Sequence, residues 1–242
     1  MASAVSKVLL TGATGFVGGA VLPALTASGW QVRCLTRDAE QARRDAPTLE
    51  WVQGDVGDAT ACRRALDGCR AALYLVHGVG ESGDYARREL EVATTFSQMA
   101  ASAGLERIVY LGGIAPAGVG SKHLRSRLAV GEALRSGPVK TLELRASMIV
   151  GAGSLSWLIV RDLAARLPVM VLPRWLKSRT QPVAIDDIVI ALVRALELSL
   201  DASACFDVPG PVTLSGKEIL DETARMMGLD SPRTLRVPLL SP

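Results

Sequence analysis

Lys7-Val8-Leu9-Leu10-Thr11-Gly12-Ala13-Thr14-Gly15-Phe16-Val17-Gly18-Gly19 joins a short apolar run to a glycine-punctuated turn and then to a helical pattern. Val8, Leu9 and Leu10 are apolar without alternation, as in a parallel strand buried on both faces. Gly12, Gly15 and Gly18 follow at three-residue intervals. That spacing serves a chain that turns sharply, brings its backbone against a pyrophosphate and packs a helix closely on a strand. The unpaired N–H groups of Phe16 and Val17, at the start of the helix, would face the phosphates. Gly12, Thr14, Gly15, Phe16 and Val17 are therefore expected to cradle a dinucleotide. A tight loop with no ligand uses the same glycines; the strand before and the amphipathic helix after favour the nucleotide.

Working outward, the 242 residues suit one large α/β domain, or one domain with a small appendage. An apolar fraction of 49% with only 4% aromatics implies an aliphatic core, as where helices pack on a parallel sheet. Lys and Arg number 27 against 24 Asp and Glu, and the net charge of +3 is too small for a nucleic-acid footprint, so no nucleic-acid partner is expected. Cys34, Cys62, Cys69 and Cys205 show no CxxC pair and no metal-ligand spacing, and read as reduced core residues with no metal. The N-terminus lacks the basic and apolar regions of a signal peptide, and a reducing, cytoplasmic location is expected. The most membrane-like stretch, Leu155 to Leu176, is interrupted by Arg161, Asp162, Arg166, Pro168, Pro173 and Arg174. It is not expected to span a bilayer, though peripheral membrane contact stays open.

Strands and helices alternate along the chain. The first helix is expected from Phe16 to about Ser28 and the second strand over Gln31 to Thr36, with Arg37-Asp38 directly after it. At that strand end an acidic residue would accept from a ribose 2′-hydroxyl, whereas an arginine would pair with a 2′-phosphate. Arg37 comes first and Asp38 can cap the next helix, so the phosphorylated cofactor is favoured. Leu49 to Gln53 forms the third strand and runs into Gly54-Asp55-Val56, where Asp55 and Val56 can meet an adenine. A helix from Thr60 leads to a fourth strand, Ala71 to Val76, which delivers Val76 and His77-Gly78 to the crevice edge where ligands bind in such sheets. Tyr85 to Ala103 reads as a helix and Arg107 to Leu111 as a fifth strand closed by Gly112-Gly113. Ser121 to Arg127 opens the next helix, and Lys140 to Leu144 is the sixth strand. Later elements are a helix to Leu167, a strand over Pro182 to Ile185 with Asp186 capping a helix, a strand over Cys205 to Val208, and a helix from Leu214 to Met227. The tail from Ser231 to Pro242 reads as a chain stopped partway through a unit.

Taken together, Thr11 to Gly18, Gly54-Asp55-Val56, Arg145 to Gly153, Pro182 to Ile188 and Gly210-Pro211 with Leu214 to Glu218 resemble motifs of the short-chain dehydrogenase/reductase superfamily. The similarity is to its atypical, extended branch, which includes NmrA-like NAD(P)-binding proteins and NAD-dependent epimerase/dehydratase-like members. It implies a doubly wound parallel sheet, a Rossmann fold, with NAD(P) across its top and a small C-terminal substrate-side lobe. Residues 1–153 would form the nucleotide-binding core, and 154–242 the substrate-side segments, partly returning to the sheet.

The chain departs from that family where the chemistry lies. The family uses Tyr, three residues, then Lys, so that the lysine and the nicotinamide charge lower the phenol's pKa. Tyr74, Tyr85 and Tyr110 each lack a lysine four residues on. Matching Ser126-Arg127-Leu128 to the family's Ser-Lys-Leu puts His123 in the tyrosine's place and Arg127 in the lysine's. The family's serine after the fifth strand gives way to Gly112-Gly113, with Gly112 expected beside the cofactor. Two readings follow. In one, His123 is an acid/base and Arg127 holds a ribose or phosphate oxygen, in an NADP-dependent oxidoreductase or isomerase, with NAD the alternative cofactor. In the other, the protein is a non-catalytic NADP(H)-binding redox sensor or an assembly or accessory protein. The apolar, arginine-studded stretch Trp157 to Trp175 would suit a hydrophobic ligand such as a quinone.

Overall fold

Each buried aliphatic run is followed by a turn and an amphipathic helix, and the runs pair side by side. The computed structural model describes residues 6–77, 85–114, 121–166, 169–171, 178–231 and 233–235. Gly78, the tail beyond 235, and the parts of Leu155 to Leu176 and Trp157 to Trp175 at 167–168 and from 172 on lie outside the described residues. The chain runs β1 (Lys7–Thr11), α1 (Phe16–Ala27), β2 (Gln31–Thr36), α2 (Ala39–Asp45), β3 (Glu50–Gln53), α3 (Ala59–Leu66), β4 (Ala71–Tyr74), α4 (Tyr85–Ser102), β5 (Arg107–Gly113), α5 (Lys122–Arg135) and β6 (Thr141–Ala146). It continues through β7 (Ile149–Val150), α6 (Leu155–Arg166), β8 (Val169–Val171), β9 (Arg179–Thr180), β10 (Val183–Ala184), α7 (Ile185–Glu197), β11 (Ala204–Val208), β12 (Leu214–Ser215), α8 (Gly216–Met226) and β13 (Arg233–Leu235).

The main sheet has the order β11-β6-β5-β4-β1-β2-β3. Strands β1 to β6 pair in parallel throughout, with Leu10 opposite both Cys34 and Leu73. The order reverses between β1 and β4, which makes the carboxyl ends of these two strands the topological switch point. Val8, Leu9, Leu10, Leu73, Ile108 and Val109 are fully buried, as expected of strands covered on both faces. The cysteines are free; burial pushes the Cys34 and Cys62 thiols up to about 12 and that of Cys69 to about 11.

The chain divides into two compact units. The first runs through Ala146 and takes in Val189–Asp207; the second comprises Ser147–Ile188 and the chain from Val208. Inside the first, Arg107 Nη1 donates to the carbonyls of Ala195 (3.1 Å) and Leu198, and so satisfies the carboxyl end of α7. Nearly buried Arg33 does the same for α3, donating to the Ala65 carbonyl at 3.0 Å while pairing with Glu50 at 2.7 Å. In the second unit, Ala164 of α6 packs with Leu220 and Ala224 of α8.

Several boundaries differ from the sequence reading, each for a local reason. β4 ends at Tyr74 and not at Val76, because the Leu75 N–H leaves the ladder and donates to Thr11 Oγ1 at 3.0 Å. β5 includes Gly112 and Gly113, which pair with Arg145 and Ala146 instead of closing the strand. Glycine is needed at 112 because a Cβ there would lie 2.8 Å from Glu143 Oε1, and a Cβ at Gly131 of α5 would collide with the same carboxylate. Glu143 is wholly buried and accepts from Arg135 Nε at 2.8 Å and Arg145 Nε at 3.0 Å. Removing one partner from such a buried pair costs about 3 to 5 kcal/mol. Helix α7 starts at Ile185, so Asp186 lies in its first turn and does not cap it. Leu214–Ser215 is a strand paired with β9, and α8 starts after Ser215, which forms a capping box with Glu218.

Candidate functional site

The ends of β1 to β4 and one face of α4 enclose a cleft of about 380 Å³ within the first unit. At its base, Gly12 takes the left-handed conformation (φ +71°) that turns the chain out of β1. Gly15 N donates to the Gly12 carbonyl at 3.0 Å. A Cβ at Gly18 would strike that same oxygen, so the helix rests directly on the turn. Gly15 caps α1 without a side chain, and the first turn of α1 contains no acidic residue. Its N–H groups therefore keep their full capacity for an anion. Thr11 Oγ1 donates to the Leu73 carbonyl at 3.2 Å and so ties β1 to β4 at the switch point.

Gly12, Thr14, Gly15, Arg37, Asp55, Val56, Val76 and His77 line this cleft together. Phe16 and Val17 lie just behind the turn, at the start of α1, and Gly112, in β5, lies outside the lining and leaves room for the Glu143 carboxylate. At the β2 end, Arg37 is exposed on the lip, whereas Asp38 is turned into α2, its Oδ1 accepting from Gln41 N at 3.0 Å. At the β3 end, Asp55 Oδ1 accepts from Gly57 N at 2.8 Å and holds its own turn.

His77 is half-buried at the inner end of the cleft. Burial first, then the positive charge of Arg127 and the neighbouring His123, push its pKa down to about 3, against a hydrogen bond with the Leu111 backbone. It is therefore neutral at physiological pH and cannot deliver a proton as an imidazolium. Its ring meets Tyr110 edge-on at 5.9 Å, and Tyr110 and Phe96 flank Tyr74 at 6.0 and 4.9 Å. Burial holds both phenols well above the ordinary tyrosine range, and Tyr110 donates its hydroxyl to the Arg127 carbonyl at 3.1 Å.

Ser121 caps α5, accepting from Leu124 N at 3.2 Å, and sets His123 in the first turn with Arg127 one turn on, along the same face. Neither lines the cleft proper, but both are close enough to His77 to act on its charge. Arg127 Nε is buried with no hydrogen-bond partner, and burial lowers the pKa of its guanidinium. A buried N–H without a partner is expensive, and a ribose or phosphate oxygen would satisfy it. With the uncapped start of α1 and the glycine turn, this orphaned donor shows that the residues present fit a dinucleotide.

Sequence reasoning missed the contribution of α4. Tyr85, Arg88, Glu89 and Val92 line the cleft, and their spacing of three and four residues marks one helical face. Glu89 also accepts from the buried Ser126 hydroxyl, joining α4 to α5 beside Arg127. Among the described residues no helix is long and apolar enough to cross a membrane.

Residues 12–164 match a protein family described as NAD(P)H-binding. The ceramide reductase of Caulobacter vibrioides is 30% identical over 250 residues, which cover 96% of this chain and 73% of that protein. The 3 beta-hydroxysteroid dehydrogenase/Delta 5-->4-isomerase of Mycobacterium tuberculosis is 34% identical over 114 residues, 43% of this chain and 30% of that protein. Among solved structures, the Citrobacter triphenylmethane reductase complexed with NADP(H) superposes with a TM-score of 0.75 at 18% identity, covering 96% of this chain and 79% of that one. MoeE5 in complex with UDP-glucose and NAD gives 0.76 at 20% identity, covering 96% and 85%. At these identities the structures establish a shared fold.

Proposed function

The chain belongs to the NAD(P)H-binding family of the short-chain dehydrogenase/reductase superfamily, and on that premise we propose that it is an NADPH-dependent reductase of an apolar carbonyl compound. The observation that carries the reading is Arg127, whose orphaned, buried Nε stands one helical turn from His123. Bound NADPH would supply a hydride to the carbonyl carbon. The protein's task is then to hold the nucleotide and to give the oxygen a proton, which converts C=O to CH–OH. Gly12, Thr14, Gly15, Phe16 and Val17 hold the pyrophosphate, Asp55 and Val56 the adenine, and Val76, His77 and Gly112 border the nucleotide. Arg127 bonds the nicotinamide-side ribose or a phosphate oxygen. His123, one turn before Arg127 on the same face of α5, donates the proton.

An apolar substrate is supported by the similarity, over 96% of this chain, to the ceramide reductase. It is also supported by Leu155, Ile159 and Leu163, exposed at four-residue steps along α6. Such a strip suits an apolar molecule, a quinone included, or peripheral contact with a membrane. Free, buried thiols suit a reducing cytoplasmic setting. A second reading, a nucleotide-binding sensor or accessory protein without turnover, is favoured by one observation: the hydroxyl of Tyr110 is committed to the Arg127 carbonyl. NADPH-loaded protein mixed with a panel of long-chain keto-lipids, ketosteroids, enones and quinones decides between the two. Oxidation of NADPH above background with one member is the expected result; none across the panel favours the sensor.

Arg37 on the lip, with Asp38 withdrawn into its cap, supports NADPH over NADH. A charge-assisted contact to the 2′-phosphate contributes about 1.5 to 3 kcal/mol, or roughly ten- to a hundredfold in affinity. Arg37→Ala is expected to erase that difference in calorimetric titrations with the two nucleotides. An unchanged ratio would return Arg37 to solvent and make Asp38 the ribose ligand.

A further inference from the structure

Gln53, the last residue of β3, reaches across to the loop that carries Arg37. Its Oε1 accepts from Ala39 N at 2.6 Å and its Nε2 donates to the Arg37 carbonyl oxygen. One side-chain amide thus spans the backbone on both sides of Asp38. The loop is held from within as well, by Asp38 N donating to Thr36 Oγ1 at 3.3 Å and by the Asp38 cap on Gln41 N. Two adjacent residues of opposite charge are thereby sorted, with the guanidinium at the cleft and the carboxylate in the helix cap.

We infer that Gln53 is the residue that sets the cofactor preference by positioning, because its amide clamp keeps Arg37, and not Asp38, facing the adenosine end of the cleft. The inference rests on the reading that Arg37 takes the 2′-phosphate. Gln53 itself is exposed. Its two hydrogen bonds compete with water and contribute little to folding, so their weight falls on which charge meets the ligand. If the clamp is lost, the peptides flanking Asp38 are free to turn, and a carboxylate brought to the lip repels a 2′-phosphate and accepts from a 2′-hydroxyl.

The test is calorimetric titration of the full chain with NADPH and with NADH, together with thermal melts lacking nucleotide. Gln53→Met keeps the side chain's length and removes both hydrogen bonds. It is expected to lower the NADPH preference by roughly tenfold or more, since one charged contact is lost and a repulsive one gained, with the melting midpoint unmoved. Adding Asp38→Asn should restore the part of the preference lost to repulsion, because asparagine still caps α2 but carries no charge. A merely structural role for Gln53 would not be rescued in this way. Adding Arg37→Ala to Gln53→Met should cause no further loss, as expected of residues acting through one contact. A wild-type preference that Arg37→Ala erases but Gln53→Met leaves within twofold overturns the clamp alone. A wild-type protein with no preference for NADPH overturns both the clamp and the reading beneath it.

Discussion

Gly15→Asp is expected to abolish binding of both NADPH and NADH while leaving the fold intact. Gly15 has φ −84° and ψ 173°, an extended conformation that aspartate adopts freely, and it occupies the cap position of α1, which aspartate favours. A Cβ there would meet the Gly12 carbonyl oxygen at 3.2 Å, a distance that a small shift relieves. The new carboxylate would accept from the N–H groups at the start of α1 and so occupy the place of the pyrophosphate. It would also repel that group. Loss of charge-assisted donors combined with like-charge repulsion puts the expected fall in affinity above a hundredfold for either nucleotide. Calorimetry with both nucleotides, together with melts of the free protein, checks the result. Binding within threefold of wild type would place the pyrophosphate elsewhere, and a wild-type protein that binds neither nucleotide would remove the foundation of the functional reading.

His123→Phe is expected to lower turnover of an accepted carbonyl substrate by roughly a hundred- to ten-thousandfold, the usual contribution of a positioned acid or base. NADPH affinity should barely change, since Arg127 and the glycine turn are untouched. His77 cannot supply the proton in its place, because burial and the charge of Arg127 hold that ring near 3. Arg127→Ala separates the roles further, weakening nucleotide binding whether or not the protein turns over. Turnover that survives both substitutions would mean that the reactive centre lies away from α5.

The fold was legible because its signals are local. Apolar runs without alternation, glycines at three-residue steps and helix-terminating glycines such as Gly29 (φ +83°) each act on a few neighbouring residues, so their spacing along the chain carries the information. The same holds for the glycine turn after β1 and for the four strand ends, which a doubly wound sheet collects at one edge whatever the intervening loops do. Gln31 to Thr36 is a strand with the expected bounds because apolar residues and a following Asp38 cap mark it from both sides.

Long-range pairing decided the rest. Gly112-Gly113 reads as a strand terminator in sequence, yet it continues β5 by pairing with Arg145 and Ala146 of the next strand, and at Gly112 the Glu143 carboxylate needs the space that a side chain would fill. The state of His77 depends on what surrounds it, Leu111, Arg127 and His123, none of them near it in sequence. Tyr110 is one more tyrosine until its hydroxyl is seen to end on the Arg127 carbonyl. Gln53 carries no motif at all, and its bearing on Arg37 comes from the pairing of β2 with β3. By itself, the sequence determined the doubly wound sheet and the glycine turn after β1, since backbone conformation answers to neighbouring residues. Which ionisable groups are buried, paired or left without a partner was decided only by the tertiary structure, because desolvation and hydrogen bonding depend on whatever the fold brings within a few ångströms.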